Sequence, residues 1–208
     1  MLVKDIMTKK VVAIDPDMPI GDVNTLMEER NIRHFPILAS GELVGIVSDR
    51  DIRLVGSEHP KSPRGISLKD AVSTIMISPV LTAHPLDAIE EAAKVLEENK
   101  IGAMPVLEED ELIGIVTGID FLKALVRLTG VYGSTSRIEV ELPNDRDSLA
   151  KLVAAVSAQG VAVSSILMQH CADDCSSFSL RVSTINNRAL AEALREQGFM
   201  VVWPELKF

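Results

Sequence analysis

Cysteine and aromatic residues are scarce in this chain of 208 residues. Two cysteines, Cys171 and Cys175, cannot make a disulfide framework. One tryptophan, one tyrosine and five phenylalanines leave little with which to stack unpaired bases. Positive charge is in deficit as well. Lys plus Arg is 21 against 30 for Asp plus Glu, a formal net charge of −9, which excludes a global electrostatic footprint for duplex DNA or RNA. No run approaches the ~20 apolar residues of a membrane span. The opening Met1-Leu2-Val3-Lys4-Asp5 has an acid and no apolar core, unlike a signal peptide. The expected setting is cytoplasmic and reducing, with neither nucleic acid nor membrane as partner.

Signatures of catalysis are also missing. The chain has no Gly-x-x-x-x-Gly-Lys-Ser/Thr loop, no Gly-x-Gly-x-x-Gly, no Gly-x-Ser-x-Gly and no His-Glu-x-x-His. His34, His59, His84 and His170 are scattered. The sequence therefore reads as a non-enzyme. With 47% hydrophobic and 25% charged residues, it is nonetheless a folded globular chain.

What the chain does have is an internal repeat. Shifted by 69 residues, it matches itself at 16 of 49 positions, from Lys4/Ser73 to Ile52/Phe121, without a gap. Ile6-Met7 falls on Ile75-Met76, Pro16 on Pro85, Pro36 on Pro105, Gly45-Ile46-Val47 on Gly114-Ile115-Val116, and Asp51 on Asp120. These are positions where backbone geometry and burial dictate the residue. Each copy predicts a short strand (Val11 to Ile14; Val80 to Ala83) broken by Asp-Pro or His-Pro. An amphipathic helix follows, marked by Ile20, Val23, Leu26 and Met27, and by Ile89, Ala92, Ala93 and Leu96. Two apolar runs around a polar turn then read as a hairpin, and a last helix starts near Asp51 or Asp120. The acidic turn Glu108 to Glu111 reads as a solvated turn in preference to a metal site. Each unit of about 50 residues is too small to bury a good core alone, so the two must pack together.

The remainder differs. After the linker-like Thr129 to Ser134, Ile138, Val140 and Leu142 alternate with Arg137, Glu139 and Glu141 as a half-buried strand. A helix through Leu149 to Val156, strands over Val161 to Met168 and around Phe178 to Val182, a helix with Leu190 and Leu194, and a strand from Phe199 to Trp203 follow. The order β-α-β-β-α-β is ferredoxin-like. The fold class is α+β, with boundaries at 1–56, 57–69 (connector), 70–128, 129–136 (linker) and 137–208.

The repeat resembles a tandem pair of CBS domains, a Bateman module. The residues that carry this are Ile32-Arg33-His34-Phe35-Pro36-Ile37, Ile101-Gly102-Ala103-Met104-Pro105-Val106, and the two stretches Gly45 to Asp51 and Gly114 to Asp120. The third unit resembles an ACT domain. The domain order at this length is similar to a group of bacterial regulatory proteins of acetoin utilisation. The CBS resemblance implies a regulatory protein that binds AMP, ADP, ATP or another adenosyl compound. It also implies an unidentified regulated partner. Two self-associating module types suggest a homodimer.

Ser48-x-x-Asp51 and Thr117-x-x-Asp120 admit two readings. Each fits a capping box at a helix start. Each also places a carboxylate after a strand, where it can accept bonds from both ribose hydroxyls, with phosphate favoured near the helix N-terminus. The CBS resemblance implies the ribose role. Arg33 and His34 are either exposed side chains or phosphate donors. Gly102 and Ala103 at the matching slot leave room for a flat base. This favours one cleft that combines the acid of the second half with cations of the first. Arg50 could serve phosphate or pair with Asp49 or Asp51.

In the ACT-like unit, Asn144-Asp145-Arg146-Asp147-Ser148 stands at the possible effector loop. The family's Asp-x-Pro-Gly is lost there, which sets a helix-start role for the acids beside amino-acid sensing. His170-Cys171-Ala172-Asp173-Asp174-Cys175 reads as a hairpin turn with incidental thiols. A metal-dependent enzyme using Cys171 and Cys175 is one rival reading, and a ligand-free interaction module is the other.

Overall fold

Both repeats fold into the same series of elements. In a computed structural model, α1 (Ile20–Arg30) leads to β1 (His34–Ala39), β2 (Glu42–Ser48) and α2 (Asp49–Leu54). The second copy gives α3 (Ile89–Asn99), β3 (Ala103–Glu108), β4 (Glu111–Thr117) and α4 (Gly118–Leu128). The structure describes residues 1–57, 59–60, 62–172 and 174–205. Asn31 and Lys100 end α1 and α3 in the left-handed conformation, a common helix stop that satisfies the last carbonyls. The hairpins turn through Ser40-Gly41 and Glu109-Asp110, all at positive φ, as tight two-residue hairpin loops require. The acidic run Glu108 to Glu111 is therefore such a turn. Among the described residues, no group of three or more His, Cys, Asp and Glu side chains is placed to hold a metal ion.

The expected strands at Val11 to Ile14 and Val80 to Ala83 shrink to single parallel bridges, Ile14 to Ile37 and Ala83 to Val106. Ile14 donates to the Pro36 carbonyl and accepts from the Leu38 amide. Pro16 and Pro85, two residues on, turn the chain before a longer ladder can form.

The leading segment of each repeat crosses to the other half. Val3 and Lys4 donate to the carbonyls of Asp87 and Pro85; Val72 and Ser73 donate to those of Met18 and Pro16. Thr8 bridges Ile115 in β4, and Ile77 bridges Ile46 in β2. Val3, fully buried, belongs to the core of the second half with Leu96, Met104, Val106 and Val116. Val72, equally buried, belongs to the first-half core around Ile20, Phe35, Ile37 and Val47. Gly45 and Gly114 make room for this exchange. A Cβ on either would lie 2.5 Å from the sulfur of Met76 or Met7 respectively.

Met1–Leu122 form one compact unit and Lys123–Phe208 another. In the second, β5 (Ser136–Pro143), α5 (Ser148–Ala158), β6 (Val163–Ala172), β7 (Cys175–Val182), α6 (Asn187–Glu196) and β8 (Met200–Trp203) follow in order. All neighbours in the sheet β6-β7-β5-β8 are antiparallel, which is the ferredoxin-like arrangement. Alternate residues of β5 and β7, including Ile138, Val140, Phe178 and Leu180, meet Leu152 and Val156 of α5 and Leu190 and Leu194 of α6. On the opposite face Arg137 pairs with Glu139 at 2.6 Å. No helix among the described residues is long and apolar enough to cross a membrane.

Candidate functional site

The end of β2 and the start of α2 supply one wall of a cleft of about 630 Å³ within the first unit. Ser48 closes β2 in extended conformation and caps α2. Asp51 Oδ2 accepts from the Ser48 amide at 2.9 Å and from the Ser48 hydroxyl at 2.6 Å. The capping box is thus real, and it holds the Asp51 carboxylate half-buried in the cleft wall. Both bonds fall on Oδ2, so Oδ1 stands outside the cap. Thr117 and Asp120 repeat the geometry at β4 and α4, with bonds of 2.9 and 2.6 Å.

The opposite wall comes from the other repeat. Lys100, Gly102 and Ala103 precede and open β3; Ile77 belongs to the segment that crosses over, and Val80 and Leu81 follow it. Arg33 and His34, at the start of β1, line the same cleft, as does Arg50 on α2. Seven sequence-selected residues therefore converge: Arg33, His34, Ser48, Arg50, Asp51, Gly102 and Ala103. Thr117 and Asp120 do not line it. The acid beside Arg33 and His34 is Asp51 of their own half, a correction to the expected pairing with Asp120. The hairpin explains this. His34 pairs with Ser48 across β1 and β2, so the basic slot and the Ser-x-x-Asp start of α2 share one sheet end.

Charge in the cleft is unevenly committed. Arg53 pairs with Asp49 at 2.8 Å, so of the readings left open for Arg50 the pair with Asp49 is not formed. The exposed side chains of Arg33, Arg50 and Lys100 make no hydrogen bond or ion pair to a described residue; the sequence leaves the roles of Arg33 and Arg50 open, and Lys100 carries no motif there. Its signal is positional: a left-handed helix stop throws it against the cleft. His34 is half-buried, and burial holds its pKa below the ordinary histidine value. Arg33 pushes the same way, while Asp49 and Asp51 oppose. Gly102 lies against this ring: a Cβ there would come within 2.6 Å of His34 Nε2.

In the second unit, Asp145 turns its carboxylate to the start of α5. Oδ1 accepts from the amides of Asp147 at 2.8 Å and Ser148 at 2.7 Å, and Oδ2 accepts from the Ser148 hydroxyl at 2.7 Å. These bonds hold the Asp145 carboxyl below the usual carboxylate range, with the Ser148 hydroxyl as the largest cause. Asp147 is the N-cap residue but makes no side-chain cap bond. Arg146 and Asn144 complete the loop, and the Asn144 amide donates to the Asp174 carbonyl at 3.0 Å.

Cys171 and Cys175 are joined by a disulfide between the ends of β6 and β7. The two sulfurs are thus paired with each other, not incidental thiols, and while bridged they are not metal ligands. His84 serves its turn, accepting from the Leu86 amide at 3.2 Å.

The CBS domain family model matches residues 3–58 and 72–127, more than half of the chain. Three solved structures each align with about three-fifths of the chain. The CBS domain pair of protein MJ0100, in complex with 5′-methylthioadenosine and S-adenosyl-L-methionine, is 28% identical with a TM-score of 0.54, covering 60% of this chain and 95% of that one. CBSX2 in complex with AMP is 25% identical with a TM-score of 0.51, covering 61% and 96%. A Vibrio cholerae protein assigned to acetoin utilization (AcuB) is 29% identical with a TM-score of 0.54, covering 63% and 94%. Curated relatives match 55–59% of the chain. The chain spans 78% of the CBS domain-containing protein YhcV of Bacillus subtilis, at 29% identity, but 22% and 24% of two enzymes.

Proposed function

The chain belongs to the CBS-domain family, and on that premise we propose that it is a non-catalytic regulatory sensor whose cleft takes an adenosyl ligand. One observation carries the reading. A carboxylate with an oxygen outside the cap, three cationic side chains that bond no described residue, and an apolar wall converge on one space of adenosyl-ligand size. Asp51 Oδ1 would take the ribose hydroxyls. The base would lie against Ile77, Val80, Leu81 and Gly102-Ala103. Arg33, Arg50 and Lys100 would meet phosphate, as charge-assisted donors do. Bound AMP, 5′-methylthioadenosine and S-adenosyl-L-methionine in two similar CBS pairs support the ligand class. AMP, ADP, ATP and S-adenosyl-L-methionine are the candidates.

Regulation requires that the ligand bind one conformation better than another. Because the cleft is walled by both repeats, a ligand that draws Asp51 and Gly102 together biases their packing. The second unit serves as an ACT-like module that pairs two copies of the chain; its sheet order supports the ACT-like part of that reading, and sedimentation velocity showing a monomer at all concentrations would contradict the pairing. Control of acetoin catabolism rests on the likeness to the Vibrio cholerae protein, and a deletion strain growing normally on acetoin would count against it.

Calorimetric titration of ligand-free protein with AMP, ADP, ATP, NAD and S-adenosyl-L-methionine tests the sensor reading. Saturable binding of at least one is expected. No heat from any of the five favours the ligand-free interaction module instead.

A further inference from the structure

We propose that Cys171–Cys175 is a thiol–disulfide exchange site that controls the order of the β5–α5 loop in the second unit. The bridge is the one covalent crosslink the chain's two cysteines can make, and it spans the ends of the hairpin strands β6 and β7. The residues next to it are tied to another element. His170 and Ser176 face each other across the two strands. The Ser176 hydroxyl, almost fully buried, contacts His170 Nδ1 at 3.1 Å and donates to the Asn144 side-chain carbonyl. The Asn144 amide donates back to the Asp174 carbonyl. Asn144 leads into Asp145, whose carboxylate sets the first turn of α5. Asp174, Cys175 and Ser148 then share the wall of a cavity of about 440 Å³ at this end of the sheet. A chain of contacts thus runs from the disulfide through Ser176 and Asn144 to the start of α5 and the cavity.

The two sulfurs are unequal. Cys171 is exposed and Cys175 half-buried against the cavity, so an external thiolate reaches the Cys171 sulfur. A dithiol supplies both steps. Its first thiolate attacks Cys171 Sγ, forming a mixed disulfide and releasing Cys175 as the leaving thiolate. Its second thiolate then attacks the reagent sulfur of that mixed disulfide, releasing Cys171. The protein bond gains two electrons, the dithiol becomes a cyclic disulfide, and its two protons end on the cysteines. A disulfide of this placement inside a reducing compartment is a transient, sensing one. With the hairpin ends no longer crosslinked, Ser176 and Asp174 hold Asn144 less well, and the loop 144–148 opens more often.

The test compares the full chain, air-oxidised and treated with dithiothreitol, by alkylation mass spectrometry and amide hydrogen exchange. The oxidised chain should resist alkylation and the reduced chain should take two alkyl groups. Reduction should speed exchange in the peptide spanning 143–148 about tenfold and leave peptides of Met1–Leu122 unchanged. Cys171→Ser with Cys175→Ser should exchange like the reduced chain and ignore the reagent. Ser176→Ala should loosen the same loop with the disulfide intact. Free alkylation of the oxidised chain, or equal loop exchange in both states, overturns the proposal.

Discussion

Asp51→Ala and Asp120→Ala remove the same pair of cap bonds, so each should lower folding stability by ~1 kcal/mol. Urea unfolding should show two similar losses. At the same scale, His34 carries a pH dependence whose sign follows from its burial. Its folded pKa lies below the unfolded value of about 6.5, so between the two the unfolded chain binds more protons. This contribution is complete above about pH 6.5 and is lost as pH falls through the folded value. The wild type should therefore lose more stability between pH 7.5 and 5.5 than His34→Asn, and parallel slopes would sink the assignment. Gly102→Ala places a methyl on the imidazole and should push the ring into the cleft. Ligand affinity should fall, and His34→Ala should relieve part of that loss. A double-mutant cycle in calorimetry reads the coupling.

At the scale of elements, the crossed leading segments make a prediction that the repeat alone gets backwards. Residues 1–8 belong by repeat to the first half, yet Val3 fills the second-half core. Val3→Ala should cost roughly 2 kcal/mol by lost burial and cavity. Amide exchange should rise around Ile89, whose amide donates to the Met1 carbonyl, and not around α1. Much of the fold was legible here. Helices and hairpins follow from periodicity and from prolines and glycines at fixed offsets, and the βαββαβ order from alternation in β5 and β7. The crossing was not legible, because an apolar pattern says which face is buried and never against which partner. The short runs before Pro16 and Pro85 misled for a related reason. Their composition suits a strand, but a strand's length depends on the neighbours it finds.

At the scale of the whole molecule, the site was legible as a set of residues and not as an assembly. Arg33, His34, Ser48, Arg50, Asp51, Gly102 and Ala103 are marked by comparing the two repeats, and all line one cleft. Which acid joins them depends on hairpin register, where His34 meets Ser48, and not on the motif, which occurs twice. Lys100 and the Cys171–Cys175 bridge emerge only in the folded chain, since neither sits in a pattern that names its neighbour. The central claim is that one cleft, walled by both repeats and carrying Asp51, takes the adenosyl ligand. The most direct measurement is a calorimetric titration of the tightest ligand into wild type, Asp51→Ala and Asp120→Ala under identical conditions. The account predicts binding to the cleft weakened at least tenfold in Asp51→Ala and retained in Asp120→Ala. Equal affinity in wild type and Asp51→Ala would contradict it.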